Sequence, residues 1–311
     1  MPLHLQSVQF LAAAVENNSP AWSELPLDEA RSVFNGMKDT FGVGPELDRV
    51  EDLVTLDSLP LRLYQKSAEA VAPVVMFFHG GGFVLGSIES HDTLCRRLAF
   101  ESGLTVVSVD YRLAPEHVFP AAFDDCYRAT EFVVGNAVEL RVDGNRVVVA
   151  GDSAGGGLAA AVSMKAGEIG QLSICGQVLI YPVLDHNFKT QSYSKFSTDF
   201  GLTRGTMMWF WNCYLNGGKQ GQAVDVEPYA AVLQSDSFES LPPTYIQLAE
   251  FDVLHDEGKE FARRLESDGV AVTVQQFAGM LHGFVHFSEP FDDSKRAIRE
   301  AAMACLRFAE V

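Results

Sequence analysis

Arg146-Val147-Val148-Val149-Ala150-Gly151-Asp152-Ser153-Ala154-Gly155-Gly156-Gly157-Leu158-Ala159-Ala160-Ala161-Val162 is the stretch that decides how this chain folds. Its first five residues are a short β-branched run that reads as a buried strand. From Gly156 onward the residues are small and then helix-forming, and predict a helix. A strand, a tight turn and a helix with a serine at the apex is the context in which Gly-x-Ser-x-Gly forms a nucleophile elbow. The flanking glycines fit, because the apex backbone is strained and its neighbours need almost no side chain. The turn also sets Ser153 at the positive end of a helix, where a developing oxyanion is stabilised. Taken alone, the pentapeptide also fits an ordinary glycine-rich turn or a phosphate-binding loop, so the surrounding chain must decide.

Working outward, residues 73–78 form a continuous apolar run typical of a strand buried on both faces. Residues 50–56 and 61–65 flank Asp57-Ser58-Leu59-Pro60 and predict an antiparallel hairpin. Further strands are expected at 104–109, 177–181, 244–248 and 270–277, with helices at 119–134, 255–267 and about 293–308. An antiparallel start followed by βα repetition predicts an α/β fold with a mostly parallel, doubly wound sheet of about eight strands. Two helices precede every strand, at 3–17 and about 27–41, broken by Asn17-Asn18-Ser19-Pro20. About sixty residues after Tyr181-Pro182 contain no clear strand. They hold a helix opened by Thr203 and crowded with Met207, Met208, Trp209, Phe210 and Trp211. Such a stripe suits a core helix. As an insertion after a sheet strand it also suits a cap over the carboxyl edge, where α/β sheets bind ligands.

The 311 residues, 47% hydrophobic and 21% charged, describe a globular chain, and no repeat or linker divides it. A single domain over residues 1–311 is expected. The net charge of −18 should repel nucleic acid and anionic membrane surfaces, which leaves small neutral or apolar partners and a possible homodimer. The acidity also serves solubility. Cys95, Cys126, Cys175, Cys213 and Cys305 are scattered without metal-ligand spacing, which points to reduced thiols in a reducing compartment. No basic leader or bilayer-length apolar stretch is visible, so a cytoplasmic location without stable membrane association is expected.

A serine hydroxyl becomes a nucleophile only when a positioned base takes its proton. On a sheet of this kind the partners follow in the order serine, acid, histidine. His255 opens a helix and precedes any other plausible acid loop. His282 stands in Ala278-Gly279-Met280-Leu281-His282-Gly283-Phe284, directly after a strand and between glycines, and is the expected base. His286, one turn on, is expected to pack or face solvent. Asp252, in the loop beyond strand 244–248, is the first choice for the acid. Asp256 and Glu257 fall in a helical first turn, where acids commonly offset the macrodipole. Three glycines in His79-Gly80-Gly81-Gly82-Phe83 let backbone amides approach a reacting carbonyl. The Gly81, Gly82 and Ala154 amides would together form a three-donor oxyanion hole. No Gly-Lys-Ser/Thr or Gly-x-Gly-x-x-Gly pattern accompanies the triplet, so nucleotide binding is the poorer reading.

Four blocks in this order, His79–Phe83, Asp110-Tyr111-Arg112-Leu113-Ala114-Pro115-Glu116, Gly151–Gly156 and the Asp252 and His282 loops, resemble the hormone-sensitive-lipase (family IV) carboxylesterases of the α/β-hydrolase superfamily. The resemblance covers about residues 45–311. It implies an eight-stranded α/β-hydrolase sheet, hydrolysis of short- to medium-chain acyl esters, and no metal or cofactor. It further implies a helical cap from about residues 1–45 and 185–225. Phe83, Asp152, Trp209, Phe210 and Trp211 become candidates to line a pocket for a small apolar ester. Two departures show: Gly157 stands where Asn is common, and Val253 where Pro is usual. Both spare the catalytic atoms and are expected to loosen the elbow helix and the acid loop. Asp110–Glu116 is expected to form an Asp/Arg/Glu network behind the oxyanion loop, and Asp124-Asp125 to be a plain helix face.

The expected chemistry is two-step acyl transfer: Ser153 attacks, His282 shuttles the proton, Asp252 orients His282, and water cleaves the acyl-enzyme. Two rivals share the fold. One is a catalytically silent, receptor-like binding protein such as the plant hormone receptors that resemble these esterases, whose usual mark is loss of the histidine. The other is an amidase or lactonase using the same triad.

Overall fold

The apolar runs on either side of the Ser153 turn lie together in one eight-stranded sheet. This computed structural model describes residues 2–17, 19–219, 226–287 and 291–310. The chain opens with α1 (Leu5–Glu16), α2 (Leu27–Gly36) and α3 (Lys38–Phe41), then enters the sheet through β1 (Arg49–Val54), β2 (Pro60–Gln65) and β3 (Ala72–Phe78). Next come α4 (Ile88–Ser102), β4 (Thr105–Val109), α5 (Ala121–Gly135), α6 (Ala137–Leu140), β5 (Val142–Asp152), α7 (Ala154–Ile169) and β6 (Ile174–Ile180). The insertion carries α8 (Gln191–Lys195) and α9 (Arg204–Asn216). The chain closes with β7 (Thr244–Phe251), α10 (His255–Ser267), β8 (Val272–Leu281) and α11 (Asp292–Ala309).

The strand order is β1-β2-β4-β3-β5-β6-β7-β8. β2 pairs antiparallel with β1 and β4, and every other pair is parallel. Alternate residues of the central strands therefore feed two cores. Val74, Met76, Phe78, Val147 and Val149 meet Phe123, Leu158 and Val162 of α5 and α7. Val75, Phe77, Val148 and Ala150 meet Leu94, Leu98, Ile298 and Ala301 of α4 and α11. Burial on both faces explains the unbroken apolar runs of β3 and β5.

The expected sheet is present, with informative differences. α4 was not anticipated, because its buried face mixes Leu94, Leu98 and Ala99 with Ser90 and His91, which blurs the hydrophobic period. Ser87 caps it by accepting from the Ser90 amide. The second leading helix divides at Gly36–Met37 into α2 and α3. β7 and β8 run further than their apolar patterns, to Phe251 and Leu281, and so deliver Asp252 and His282 directly at strand ends. Because β3, β5, β7 and β8 run parallel, residues 79, 153, 252 and 282 all emerge at one edge of the sheet.

The leading segment touches this edge at two places. The His4 amide donates to Gly279 O (3.1 Å), and the ring of Phe10 lies 4.6 Å from that of Phe287. Arg31 of α2 donates to Val84 O and Ala114 O and pairs with Glu116 at 2.7 Å, holding the end of the glycine loop. Residues 220–225, at the end of the expected cap, lie outside the described residues.

Candidate active site

Ser153 sits at the β5–α7 turn with φ 55° and ψ −120°, a strained combination for a side-chain-bearing residue. Backbone contacts from both sides hold it. Its amide donates to Ile180 O (2.8 Å), and its carbonyl accepts from the amides of Gly156 and Val183 (both 3.0 Å). The neighbouring glycines are forced by crowding. A Cβ on Gly155 would lie 1.9 Å from Phe78 O, and one on Gly151 would lie 2.3 Å from Gly155 O. Gly157 has a physical reason too, since a Cβ there would lie 2.2 Å from Val183 O. The carbonyl that fills that space belongs to the residue whose amide bonds Ser153 O, so the elbow is braced at the position where loosening was expected.

Asp252, His282 and Ser153 form one hydrogen-bonded chain. Asp252 Oδ2 lies 2.7 Å from His282 Nδ1, and His282 Nε2 lies 2.9 Å from Ser153 Oγ. The other carboxylate oxygen of Asp252 accepts from the Leu254 amide at 3.0 Å, which fixes the acid's rotamer. An ionised carboxylate only accepts, so Nδ1 carries the proton and Nε2 presents its lone pair to the serine. Tyr181 packs its ring 4.5 Å from the His282 imidazole. Val253 is fully buried, and its carbonyl accepts from Ser192 Oγ (2.6 Å), so the acid loop is tied to α8 without the usual proline.

The glycine loop after β3 turns back on itself. The Val84 and Leu85 amides donate to Gly81 O at 3.1 and 2.8 Å. Gly81 and Gly82 have φ of 113° and 62°, and among the described residues nothing accepts from their amides. The third glycine differs: the Gly80 amide donates to Asp152 Oδ1 at 2.9 Å. His79 lies beneath, fully buried, with Nδ1 2.8 Å from Gly80 O and its ring stacked on Tyr111. Burial, then the adjacent His91, lowers its pKa to about 3, so it is neutral.

The aromatic candidates divide. Phe210 is pressed against the glycine loop, so that a Cβ on Gly82 would lie 2.3 Å from its ring. Phe83, with φ 64°, stacks on Tyr214 at 3.9 Å and turns into the core. Trp211 is buried between Phe83 and His186, while Trp209 is only partly buried and packs on Phe210.

Asp152 departs from its expected place in the pocket lining. It is 2% exposed and points behind the turn, because two donors take it there, the Gly80 amide (2.9 Å) and His286 (3.0 Å), with His91 Nε2 close by at 3.3 Å. Burial works to raise its pKa, but the two imidazoles prevail and hold it well below the usual carboxylate range. His286 accordingly packs inside and does not face solvent. His255 instead lies beside Asp256 and Gln276. The first-turn acids of α10 also do more than offset a dipole. Asp256 accepts from the Ser192 amide (2.8 Å), and the buried Glu257 accepts from the Leu184 and Asp185 amides (2.8 and 3.1 Å). Together they tether the insertion. The Asp110–Glu116 stretch does not form one network: Asp110 accepts from the Ile88 amide, Arg112 forks onto Asp125, and Glu116 pairs with Arg31. Asp125 is therefore a buried anchor and not a plain helix face. Apart from His255 beside Asp256, none of these contacts has a local sequence signal, since each joins residues more than ten apart.

His91, Asp152 and His286 are the described residues whose ligand-type atoms cluster closely enough for a metal, within 4.8 Å. The Gly80 N–H, however, reaches both Asp152 Oδ1 and His91 Nε2 (3.2 Å), placing a proton where a cation would sit. A groove of about 620 Å3 between the β1–β2 turn and α5 is lined by Leu56, Leu59, Phe132, Arg112 and Arg128, and not by Ser153, Asp252 or His282.

The sheet order, the elbow at the end of β5 and the acid and histidine at the ends of β7 and β8 define an α/β-hydrolase. Residues 75–286 match the family model described as the alpha/beta hydrolase fold. The chain belongs to that family, in its hormone-sensitive-lipase-like branch. It is 34% identical to the ethyl acetate hydrolase of Pseudomonas putida, with 91% of this chain and 92% of that one covered. Carboxylesterase NlhH of Mycobacterium tuberculosis is 35% identical over 84% of this chain and 83% of its own. The solved structure of an ester-hydrolase from the metagenome of Lake Arreo, complexed with a derivative of bipyridine phosphonate, superposes with a TM-score of 0.92 at 33% identity. That match covers 99% of this chain and 100% of the other. No described helix is long and apolar enough to cross a membrane.

Proposed function

We propose that the protein is a carboxylesterase that hydrolyses short- to medium-chain acyl esters through a serine acyl-enzyme. Ser153 attacks the ester carbonyl as His282 Nε2 takes its proton. His282 returns that proton to the leaving alcohol, and Asp252 keeps the imidazole in the reactive tautomer. The Gly81, Gly82 and Ala154 amides receive the oxyanion, with the α7 N-terminus adding its positive end. The observation that carries the reading is the continuous Asp252–His282–Ser153 chain, 2.7 and 2.9 Å, beside a loop whose Gly81 and Gly82 amides have no acceptor among the described residues. The same chain argues against a silent, receptor-like member. Phe210, against the glycine loop, and Trp209, packed on Phe210, are the aromatic residues offered as pocket walls, with the leading helices and α8–α9 as the cap. The five unpaired cysteines suit a reducing, cytoplasmic setting.

Ser153→Ala tests the assignment. It should abolish turnover of an aryl ester, and a serine-directed phosphonate should add one mass increment to wild type and none to the variant. Labelling that persists in the variant sinks the nucleophile. A rate panel of aryl esters of increasing acyl length, with an amide and a lactone, then separates esterase from amidase or lactonase.

A further inference from the structure

Three segments around the site converge on a carboxylate that the acyl-transfer chemistry does not use. Asp152 precedes the nucleophile, yet its side chain turns away from the pocket into the sheet edge. Its Oδ1 accepts from the Gly80 amide of the glycine loop (2.9 Å) and lies 3.3 Å from His91 Nε2 of α4. Its Oδ2 lies 3.0 Å from Nε2 of His286, which sits in the short turn Phe284–His286 that continues the His282 loop. Since an ionised carboxylate only accepts, His286 donates from Nε2. Gly80 must be glycine for this to happen, because a Cβ there would lie 2.4 Å from Asp152 Oδ2. His91 is fixed from its far side, with Nδ1 2.8 Å from Ser90 Oγ, and its ring meets that of His286 edge-on at 4.6 Å. The turn bearing His286 is itself anchored, as Ser294 of α11 donates its hydroxyl to Phe284 O.

We propose that Asp152 and His286 form a positioning pair. By holding the His282 loop and the glycine loop to the residue before Ser153, the pair sets where His282 Nε2 and the Gly81 and Gly82 amides stand relative to the serine hydroxyl. This inference rests on the proposed esterase reading. The donors and acceptors are buried and directional, so they fix distance and angle in a way that apolar packing alone does not. An error of about 1 Å in the placement of a reacting group can cost on the order of 10²-fold in rate. The pair should therefore act on kcat and leave KM nearly alone, since it touches neither the acyl nor the alcohol side of a substrate.

The test compares His286→Phe, which keeps a ring of similar size without the donor, with His286→Gln, whose amide nitrogen can replace Nε2. Expected for His286→Phe is a kcat lower by about 10- to 100-fold on an aryl ester, with KM within about threefold. His286→Gln should recover most of the lost rate. If packing were the whole role, Phe would be tolerated and Gln would be the worse replacement, and that order overturns the proposal. Should His286→Phe not fold, Asp152→Asn decides: a kcat loss of about tenfold or more at unchanged KM supports the pair, and wild-type kcat removes it. Ser153→Ala run in parallel keeps the two claims apart. Turnover persisting there refutes the esterase mechanism, whereas a dead Ser153→Ala beside a wild-type His286→Phe refutes only the positioning pair.

Discussion

Two Asp–His pairs lie back to back at the elbow, built from neighbouring residues. In front, Asp252 meets His282 at 2.7 Å and His282 meets Ser153 at 2.9 Å. Behind, Asp152 meets His286 at 3.0 Å and also takes the Gly80 amide, with His91 Nε2 alongside at 3.3 Å. The residue types match and the histidines are four apart on one loop, so composition does not separate their roles. Ring orientation does. In front, the acid takes Nδ1, which leaves Nε2 to face a hydroxyl that can lose a proton. Behind, the acid takes Nε2 itself, and that nitrogen's proton is committed to a buried carboxylate. The first arrangement suits proton transfer and the second suits a brace.

The comparison is broken most directly at the front acid. Asp252→Asn preserves shape but favours the unreactive tautomer of His282, and the precedent in a serine protease is a loss on the order of 10⁴ in kcat. The measurement is kcat for an activated ester on the high-pH plateau of the rate profile, beside Asp256→Asn. A larger loss in Asp256→Asn would move the acid one turn along α10.

The glycine loop gives the next largest effect. Gly82→Ala places a Cβ 2.3 Å from the Phe210 ring at a φ of 62° that disfavours any side chain. Displacing one oxyanion donor should lower kcat by on the order of 10²-fold. Adding Phe210→Ala should restore about tenfold of that loss if the ring is what confines the loop. A double variant as slow as the single one would instead assign the damage to backbone strain.

The rear cluster should show itself in stability against pH. His79 is held neutral, its pKa lowered from 6.5 to about 3 by burial and then by His91. Between those values the unfolded chain binds a proton that the folded chain refuses, so stability rises with pH there and is lost as pH falls below about 6.5. His286, lowered by burial despite Asp152, contributes with the same sign. Glu257, raised by burial, acts oppositely: its contribution is full below about 4.5 and is lost as pH rises through its folded pKa. The His79 share, read by urea unfolding as wild type against His79→Asn, should be a loss on the order of 2 kcal/mol between pH 6.5 and 4.5. His79→Asn, which keeps a donor for Gly80 O, should flatten that slope. An unchanged slope would mean that another group carries it.

How much of this could be read from sequence follows the range of the interactions. The succession of strands, the mostly parallel sheet and the strand–turn–helix around Ser153 are legible, because each is a local pattern, and Asp252 and His282 stand at strand ends where those patterns stop. Asp152 was misplaced into the pocket because its partners, Gly80, His91 and His286, are 72, 61 and 134 residues away. α4 was hidden by the polar residues that this cluster requires on its buried face. Gly157 looked like a loosening because the Val183 carbonyl that fills its space belongs to the next strand's exit. In sequence the tethering acids Asp256 and Glu257 look like dipole partners alone, since the amides they accept from lie in an insertion with no repeating pattern.

The smallest expected effect concerns one of those tethers. Asp256 is four residues beyond Asp252 and near enough to invite confusion, yet it faces the Ser192 amide at 2.8 Å and His255 at 3.3 Å. Burial tends to raise its pKa, but the Ser192 amide and His255 prevail and leave it lowered. Asn in its place can still accept from Ser192 through its carbonyl oxygen, so only the charge is lost. About 33% of the Asp256 side chain is exposed, and solvent screens part of what that charge adds. Removing a favourable first-turn charge should cost about 0.3–1 kcal/mol, read as a small fall in the urea midpoint with the slope unchanged. Catalysis should stay within about threefold, because the bond that places the start of α8 survives. Asp256→Ala removes the acceptor as well, and should cost about 1–2 kcal/mol more. If Asn and Ala are equally mild, the tether carries no weight. If Asn alone lowers kcat by more than about tenfold, the front pair reaches further along α10 than the Asp252–His282–Ser153 chain implies.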